Sequence, residues 1–259
     1  MRIFGKTLVA AALFSVAMQG AFAADDLNKI KAAGEIKFGT EGTYAPFSYH
    51  DIAGGLTGFD VEIGRAVAQQ MGLKATFVEG KWDGLVAGLD DKRYDAVLNE
   101  VSITPARQAK YAFSDPYITS RAVLIVAANN NTIKTFADLK GKKAAETLSS
   151  NFGKIAKDSG ADIVADNGFN ESVDLLLSGR VDATVNDSLS YLDFKKHKPD
   201  AKVKQVAVYD AAQNDHSAIL LRQGSPELVA AINHALATIK ANGTYLKISQ
   251  KYFGKDVSQ

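Results

Sequence analysis

LDDKRYDAVLNE at 89–100 and LLSGRVDATVND at 176–187 align without a gap. Leu89, Arg93, Asp95, Ala96 and Asn99 fall opposite Leu176, Arg180, Asp182, Ala183 and Asn186, and Glu100 falls opposite Asp187. Both stretches read as a helix end, a turn, a strand, then Asn followed by an acid. A repeated unit of this size implies two similar lobes, each built on its own sheet. In open α/β sheets, ligands sit beyond the C-terminal ends of the strands. The duplication therefore predicts a cleft with Asn99–Glu100 facing it from one side and Asn186–Asp187 from the other.

The rest of the chain supplies the elements such lobes need. EIKFGT (35–40), ATFVEG (75–80), YDAVLNE (94–100) and AVLIVAAN (122–129) read as strands. FDVEIGRAVAQQMG (59–72), WDGLVAGLDDKR (82–93), SVDLLLSG (172–179) and a closing segment from Pro226 to about Asn242 read as helices. In the first of these, Phe59, Ile63, Ala66, Val67 and Met71 share one face, and Gly72 stands where a helix stops. TFADLKG (135–141) carries Thr135 and Asp138 at capping-box spacing before a short helix. Strand and helix alternate, which predicts an α/β fold of mainly parallel sheets covered by helices.

The first 23 residues read differently. Arg2 and Lys6 precede the apolar run LVAAALFSVAM, and Ala21 and Ala23 form a small-residue cleavage site. This is the pattern of a signal peptide cut after Ala23, with no Cys beyond it for a lipid anchor. Losing two positive charges takes the formal net charge from +1 to 1 − 2 = −1. A near-neutral chain carries no footprint for nucleic acid or an anionic membrane. Zero cysteines rule out thiol nucleophiles and Cys-ligated metals, and suit an exported protein that needs no disulfides. The four His residues have no metal-ligand spacing, so neither metal nor cofactor is expected.

EGTYAPFSYH (41–50) gathers rings and polar groups just after the first strand. Aromatic walls with a few placed polar groups make a small-molecule site. A free α-amino acid asks for an Arg and backbone N–H donors at its carboxylate, and for an acid at its ammonium. Arg107 follows Ser102 and Thr104, with Pro105 suited to a helix first turn. Ser149, Ser150 and Asn151 stand at a strand-to-helix junction of the second lobe, and Asp187 is available to the ammonium. Taken singly, Arg107 reads equally as a surface ion pair and Ser150 equally as a plain helix cap.

In order and spacing, TYAPF, GGLTGFDVEI, KWDGL, SITPAR, YAFSDPY, DLKGKK and GTYLKISQKYFG resemble the bacterial extracytoplasmic solute-binding proteins of ABC importers, in the polar amino-acid family 3. The resemblance spans the mature chain, and EGTYAPFSY, KWDGLVAGLDDKR and LNEVSIT are most similar to cystine-binding members. It implies a periplasmic, monomeric protein of the type II two-lobe fold, each lobe a mainly parallel sheet flanked by helices, joined by two hinge strands. Residues 24–118 and 218–259 would form the first lobe and 119–217 the second, with hinges near Thr119–Ala122 and His216–Ile219.

The implied function is capture of a polar L-amino acid, L-cystine first, and delivery to a membrane permease. Tyr44 and Phe47 would contact the ligand, with Trp82 packing beside them. Ser102 and Arg107 would hold its carboxylate, Ser150 and Asn151 would add donors, Asp187 would bind the ammonium, and backbone near Asn99 would line the site. Glu100 stands where cystine-binding members often carry Gln, and Thr147–Asn151 replaces their glycine-rich G-x-G-T-N loop. Secreted cyclohexadienyl dehydratases resemble these proteins too. On that alternative Glu100 or Glu146 would be a general acid acting on prephenate or arogenate; the cystine-like motifs argue for binding.

Overall fold

The computed structural model describes residues 26–210 and 216–258. The expected signal peptide, residues 1–23, lies outside them. In chain order the elements are α1 (Asp26–Ala33), β1 (Glu35–Thr40), β2 (Thr43–Tyr44), β3 (Ser48–His50), β4 (Leu56–Thr57), α2 (Phe59–Gln70), β5 (Lys74–Glu79), α3 (Trp82–Asp90), β6 (Ala96–Val97), α4 (Pro105–Gln108), β7 (Tyr111–Phe113) and β8 (Ile118–Thr119). There follow β9 (Ala122–Ala127), β10 (Lys143–Glu146), α5 (Asn151–Asp158), β11 (Asp162–Ala165), α6 (Phe169–Leu177), β12 (Ala183–Asp187), α7 (Ser188–His197), β13 (Val203–Val208), β14 (His216–Ser217), β15 (Leu220–Arg222), α8 (Pro226–Ala241) and α9 (Thr244–Phe253).

Two five-stranded sheets carry the fold, ordered β5-β1-β6-β15-β7 and β11-β10-β12-β9-β13. The orders correspond position by position. In each sheet a single strand runs against the other four: β15 in lobe I and β9 in lobe II. Those are the strands by which the chain enters a lobe after crossing between them. At the crossing, β8 and β14 pair antiparallel, with His216 opposite Thr119 and Ser217 opposite Ile118. This is the type II two-lobe arrangement.

The duplicated stretch is duplicated in three dimensions. Asp95 accepts the Lys37 backbone N–H at 2.8 Å, and Asp182 accepts that of Lys143 at 2.9 Å. In return the Asp95 N–H donates to the Lys37 carbonyl and the Asp182 N–H to the Lys143 carbonyl. Each aspartate thus fixes the register between its strand and the neighbouring one. Upstream, Arg93 and Arg180 donate their backbone N–H to the Gly88 and Leu175 carbonyls, closing the preceding helix. Lys92 (φ 58°) and Gly179 (φ 72°) occupy matching left-handed positions in that closure.

The capping signals resolve as read, in part. Thr104 caps α4 by accepting the Arg107 N–H, with Pro105 in the first turn. Thr135 and Asp138 form a capping box, and the helix they start, Phe136–Leu139, is 3-10 rather than α. EGTYAPFSYH is not an open loop: β2, β3 and β4 make a small antiparallel sheet. That sheet is pinned to α2, because Phe59 and Asp60 donate their N–H groups to the carbonyls of Pro46 and Phe47 at 2.8 and 2.9 Å. The close approach requires Gly58, where a Cβ would sit 2.2 Å from the Phe47 carbonyl oxygen and φ is 127°. Beyond α8, Gly243 in the left-handed region starts α9, which the sequence reading did not assign.

Replacing Asp95 or Asp182 by Ala removes a register-setting hydrogen bond that its carboxyl oxygen accepts. Each is expected to lower unfolding stability by about 1–2 kcal/mol, read as a shift in urea midpoint. The two effects should add, because the sites lie in different sheets.

Candidate functional site

The C-terminal ends of β1, β6, β10 and β12 face one another across the lobes. They leave a cavity of about 40 Å³ between them. Glu41, Thr43, Tyr44, Trp82, Asn99 and Glu100 line it from lobe I; Glu146, Thr147, Ser150, Asn151, Phe169 and Asn186 are among those lining it from lobe II. The cleft is closed. The Tyr44 hydroxyl donates to Asn186 Oδ1 at 3.0 Å, and the Ser190 hydroxyl to the Ala45 carbonyl at 2.9 Å. At the rim, Ser149 donates its N–H and hydroxyl to Asp83, and Lys81 donates to Asn167 at 2.7 Å.

Arg107 is the cationic end. Its guanidinium lies over the Trp82 ring at 5.1 Å and donates to the Ser102 carbonyl at 2.9 Å and to Asn151 Oδ1 at 3.5 Å. No carboxylate pairs with it among the described residues. Burial pulls it down to about 10, so it stays charged at neutral pH. A desolvated guanidinium with only neutral partners is a receptor for an anion. Trp82 Nε1 is also buried and without a partner, a second unmet donor on the cavity wall.

The acids form a second group. Glu100 takes a left-handed turn at the end of β6 (φ 50°), which the duplicate Asp187 does not share. Its backbone N–H donates to Asp60 Oδ2 at 2.6 Å, and its Oε1 lies 2.8 Å from the Ser217 hydroxyl and 3.2 Å from that of Ser120. Asp187 caps α7, accepting the N–H groups of Leu189 and Ser190 on Oδ1, while Oδ2 accepts the Ser120 hydroxyl. Burial, and then the charge of Asp187, push Glu100 well above the usual carboxylate range. Burial raises Asp187 to about 6 and Asp60 to about 7. Glu41 is raised to about 7 by burial, against the opposing hydrogen bonds of Asn99 and the Trp82 backbone N–H.

The expected residues sort into three groups. Tyr44, Trp82, Asn99, Glu100, Ser150 and Asn151 line the cavity. Within that group the Ser150 hydroxyl is spent on the Gly153 N–H at 2.8 Å as the cap of α5, and Asn99 holds Glu41 through its amide at 2.7 Å. Arg107 lies beside them, joined to the cavity through Trp82 and Asn151. Phe47, Ser102 and Asp187, like Arg107, are not among the residues lining the ligand-free cavity. Phe47 is wholly buried between Tyr44 and Phe253, at 5.1 and 6.1 Å, because β2–β3 folds its ring inward against α2 and α9. Ser102 bridges to Ser217 and offers Arg107 its carbonyl. Asp187 turns its carboxyl onto its own helix start and Ser120.

Several functional positions went unread. Asn186 was placed only as half of a pair, and Phe169 and Ser172 lie in a helix whose cleft-facing side has no sequence signature. Ser120 and Ser217 each sit in a hinge segment, where nothing local distinguishes them from ordinary strand serines. Among the described residues no cluster of three or more His, Cys, Asp or Glu could hold a metal, and no helix is long and apolar enough to cross a membrane.

Residues 36–255 match the bacterial extracellular solute-binding proteins, family 3. The chain belongs to that family. This solute-binding protein is 41% identical over 252 residues to a probable amino-acid ABC transporter-binding protein of Haemophilus influenzae, covering 97% of this chain and 96% of the relative. It is 44% identical over 231 residues to the L-cystine-binding protein TcyA of Bacillus subtilis, covering 89% of this chain and 85% of the relative. Among solved structures, an ancestral arginine-binding protein bound to arginine matches with a TM-score of 0.79 at 37% identity, over 85% of this chain and 99% of that one. The matched relatives are binding proteins of transport, not enzymes.

The raised acids set the pH response of the ligand-free solute-binding protein. Asp60, Glu41 and Asp187 hold protons more tightly folded than unfolded. The folded state therefore binds more protons between about pH 7 and about pH 4, and stability rises as pH falls through that window. Its melting temperature is expected to be higher at pH 5 than at pH 8; a maximum at pH 8 would contradict the burial of these groups.

Proposed function

We propose that the protein captures a polar L-amino acid, L-cystine in the first place, between its lobes and presents it to the membrane permease of an ABC importer. The observation that carries this reading is the charge layout of the closed cavity. A guanidinium without a carboxylate partner stands beside the cavity on Trp82 and Asn151, and Glu100 lines it with Asp187 behind Ser120. An α-amino acid carries the complementary pair. Arg107 holds the α-carboxylate, with the N–H groups at the start of α5 near Ser150 and Asn151 as further donors. Asp187, whose Oδ2 meets only the Ser120 hydroxyl in the ligand-free form, turns that oxygen to the ammonium, and Tyr44 and Trp82 cover the stem.

The relatives' names support the amino-acid class and leave cystine and arginine as the leading choices. The state of the acids favours cystine. A cationic side chain needs a free carboxylate, and the cavity's other acids are engaged. Glu146 accepts the Val185 N–H at 2.6 Å, and Glu41 is bound by Asn99 and the Trp82 backbone. Both are pushed toward the neutral form. A ligand whose side chain ends in a second zwitterion rather than a lone cation suits them better.

On this reading the protein is a monomer of the periplasm, exported by the signal peptide at 1–23 and acting without a cofactor. Residues 24–118 with 218–259 move as one lobe and 119–217 as the other. Closure brings both lobe surfaces together, so the permease reads occupancy from shape.

A thermal-shift panel on ligand-stripped protein tests the assignment, with L-cystine, L-cysteine, Gln, Glu, Arg, Lys, His and prephenate. At a hundredfold excess over Kd the true ligand adds about 2.7 kcal/mol. Cystine is expected to give the largest shift. A response to Arg or Lys alone would reassign the ligand, and turnover of prephenate would replace binding by catalysis. Arg107→Ala is expected to weaken binding at least about a hundredfold, since it strands a desolvated carboxylate, while leaving the unliganded melting temperature nearly unchanged.

A further inference from the structure

Ser120 and Ser217 lie on the two chain segments that cross between the lobes, and both meet one oxygen, Glu100 Oε1, at 3.2 and 2.8 Å. Ser120 also meets Asp187 Oδ2. A serine hydroxyl has one proton, so Ser120 cannot donate to both acids at once. Were both acids ionised, two desolvated carboxylate oxygens would press on one hydroxyl with a single donor between them. One added proton resolves the geometry. Ser217 then donates to Glu100 Oε1, the Glu100 carboxyl O–H donates to Ser120 Oγ, and the Ser120 O–H donates to Asp187 Oδ2. Every group in this line donates once.

The proton belongs on Glu100. Asp187 Oδ1 is held by the Leu189 and Ser190 N–H groups at 2.7 and 3.1 Å, at a helix start that favours negative charge. Glu100 has no such support. Its own backbone N–H is taken by Asp60 of α2 at 2.6 Å and approached by the Tyr117 hydroxyl at 3.2 Å. The other titratable groups around it are Tyr44 of β2, Asp187 of β12 and Arg107 of α4, whose positive charge favours ionised Glu100 less than burial and the neighbouring acids oppose it. On β14, His216 turns its Nδ1 to Thr119.

We propose that Glu100 is a second ammonium-binding residue, neutral in the closed ligand-free protein, which ionises when the ligand's ammonium arrives, so that each binding event releases a proton. This rests on the reading of the protein as an amino-acid receptor. The atoms balance simply: the proton on Glu100 Oε1 leaves to solvent, and a ligand N⁺–H donates to Oε1 in its place. The same residue then separates this chain from relatives with Gln at the position. Gln keeps the donation to Ser120 through an amide N–H, with Ser217 turning from donor to acceptor of the second one, and it has no proton to give up.

The test is calorimetric titration of the full mature protein with L-cystine, L-arginine and L-glutamine, each in two buffers of different ionisation enthalpy at pH 7. Wild type is expected to release about one proton more per ligand bound than Glu100→Gln. Because the free form must lose that proton to bind, wild-type affinity should fall as pH is lowered, approaching about tenfold per unit, with a shallower dependence in Glu100→Gln. An infrared difference spectrum should show loss of a protonated carboxyl on binding in wild type and not in the variant. Heats with equal proton release in both proteins would overturn the inference alone. No heat with any of the three, together with no thermal shift from any amino acid of the panel, would overturn the receptor reading and this inference with it.

Discussion

Closing two lobes over a polar cleft takes water away from Glu41, Asp60, Glu100, Glu146 and Asp187 while leaving a single guanidinium, Arg107, among them. That desolvation governs the rest of the site. Isolated buried carboxylates are too costly to leave charged and unpaired, so each is either given N–H and hydroxyl donors or held neutral. Glu146 meets the Val185 N–H. Asp60 meets the Glu100 N–H and the Tyr117 hydroxyl. Asp187 meets the first turn of α7. What remains unmet is small and specific: the spare donors of Arg107, the Trp82 indole N–H, and the acid end at Glu100. Those are the places the proposed zwitterion would fill.

The duplicated sheets make this possible by delivering polar side chains from opposite directions. The Asp95 and Asp182 clamps hold β6 and β12 in equivalent registers, so Asn99 and Asn186 emerge at equivalent heights. From there the lobes diverge. After Asn99 the chain turns left-handed at Glu100 and runs on to Arg107; after Asn186 it enters α7 directly with Asp187 as cap. One ancestral corner thus becomes a hinge-linked acid in lobe I and a helix-anchored acid in lobe II. Their meeting at Ser120 ties the site to a crossing segment, because the hydroxyl that bridges the acids belongs to the chain between β8 and β9.

The β2–β3–β4 sheet shows why residue type alone is a poor guide to contact. Tyr44 and Phe47 are three positions apart on one turn and read as equivalent rings. Tyr44 keeps its hydroxyl on Asn186 across the cleft, whereas Phe47 closes the aromatic nest of Phe59 and Phe253. The difference comes from Gly58, whose missing Cβ lets α2 start against the Phe47 carbonyl and turns that side of the hairpin inward.

The alternation of strand and helix, the two-lobe plan, the caps at Thr104 and Thr135, and the pairing of Asn99–Glu100 with Asn186–Asp187 were all legible in the sequence. Each rests on local periodicity, on a short-range hydrogen bond, or on a repeat that the chain states twice. Arg107 and Trp82 could be named as candidates on the same basis. Only the tertiary structure decided that Arg107 stacks on Trp82 without an acid, that Phe47, Ser102 and Asp187 stand behind the cavity wall, and that Ser120 and Ser217 converge on Glu100. Those facts depend on contacts between segments well apart in sequence, Ser217 and Glu100 being separated by 117 residues. Side-chain desolvation is set by whichever segments happen to close over a group, and no local pattern encodes that.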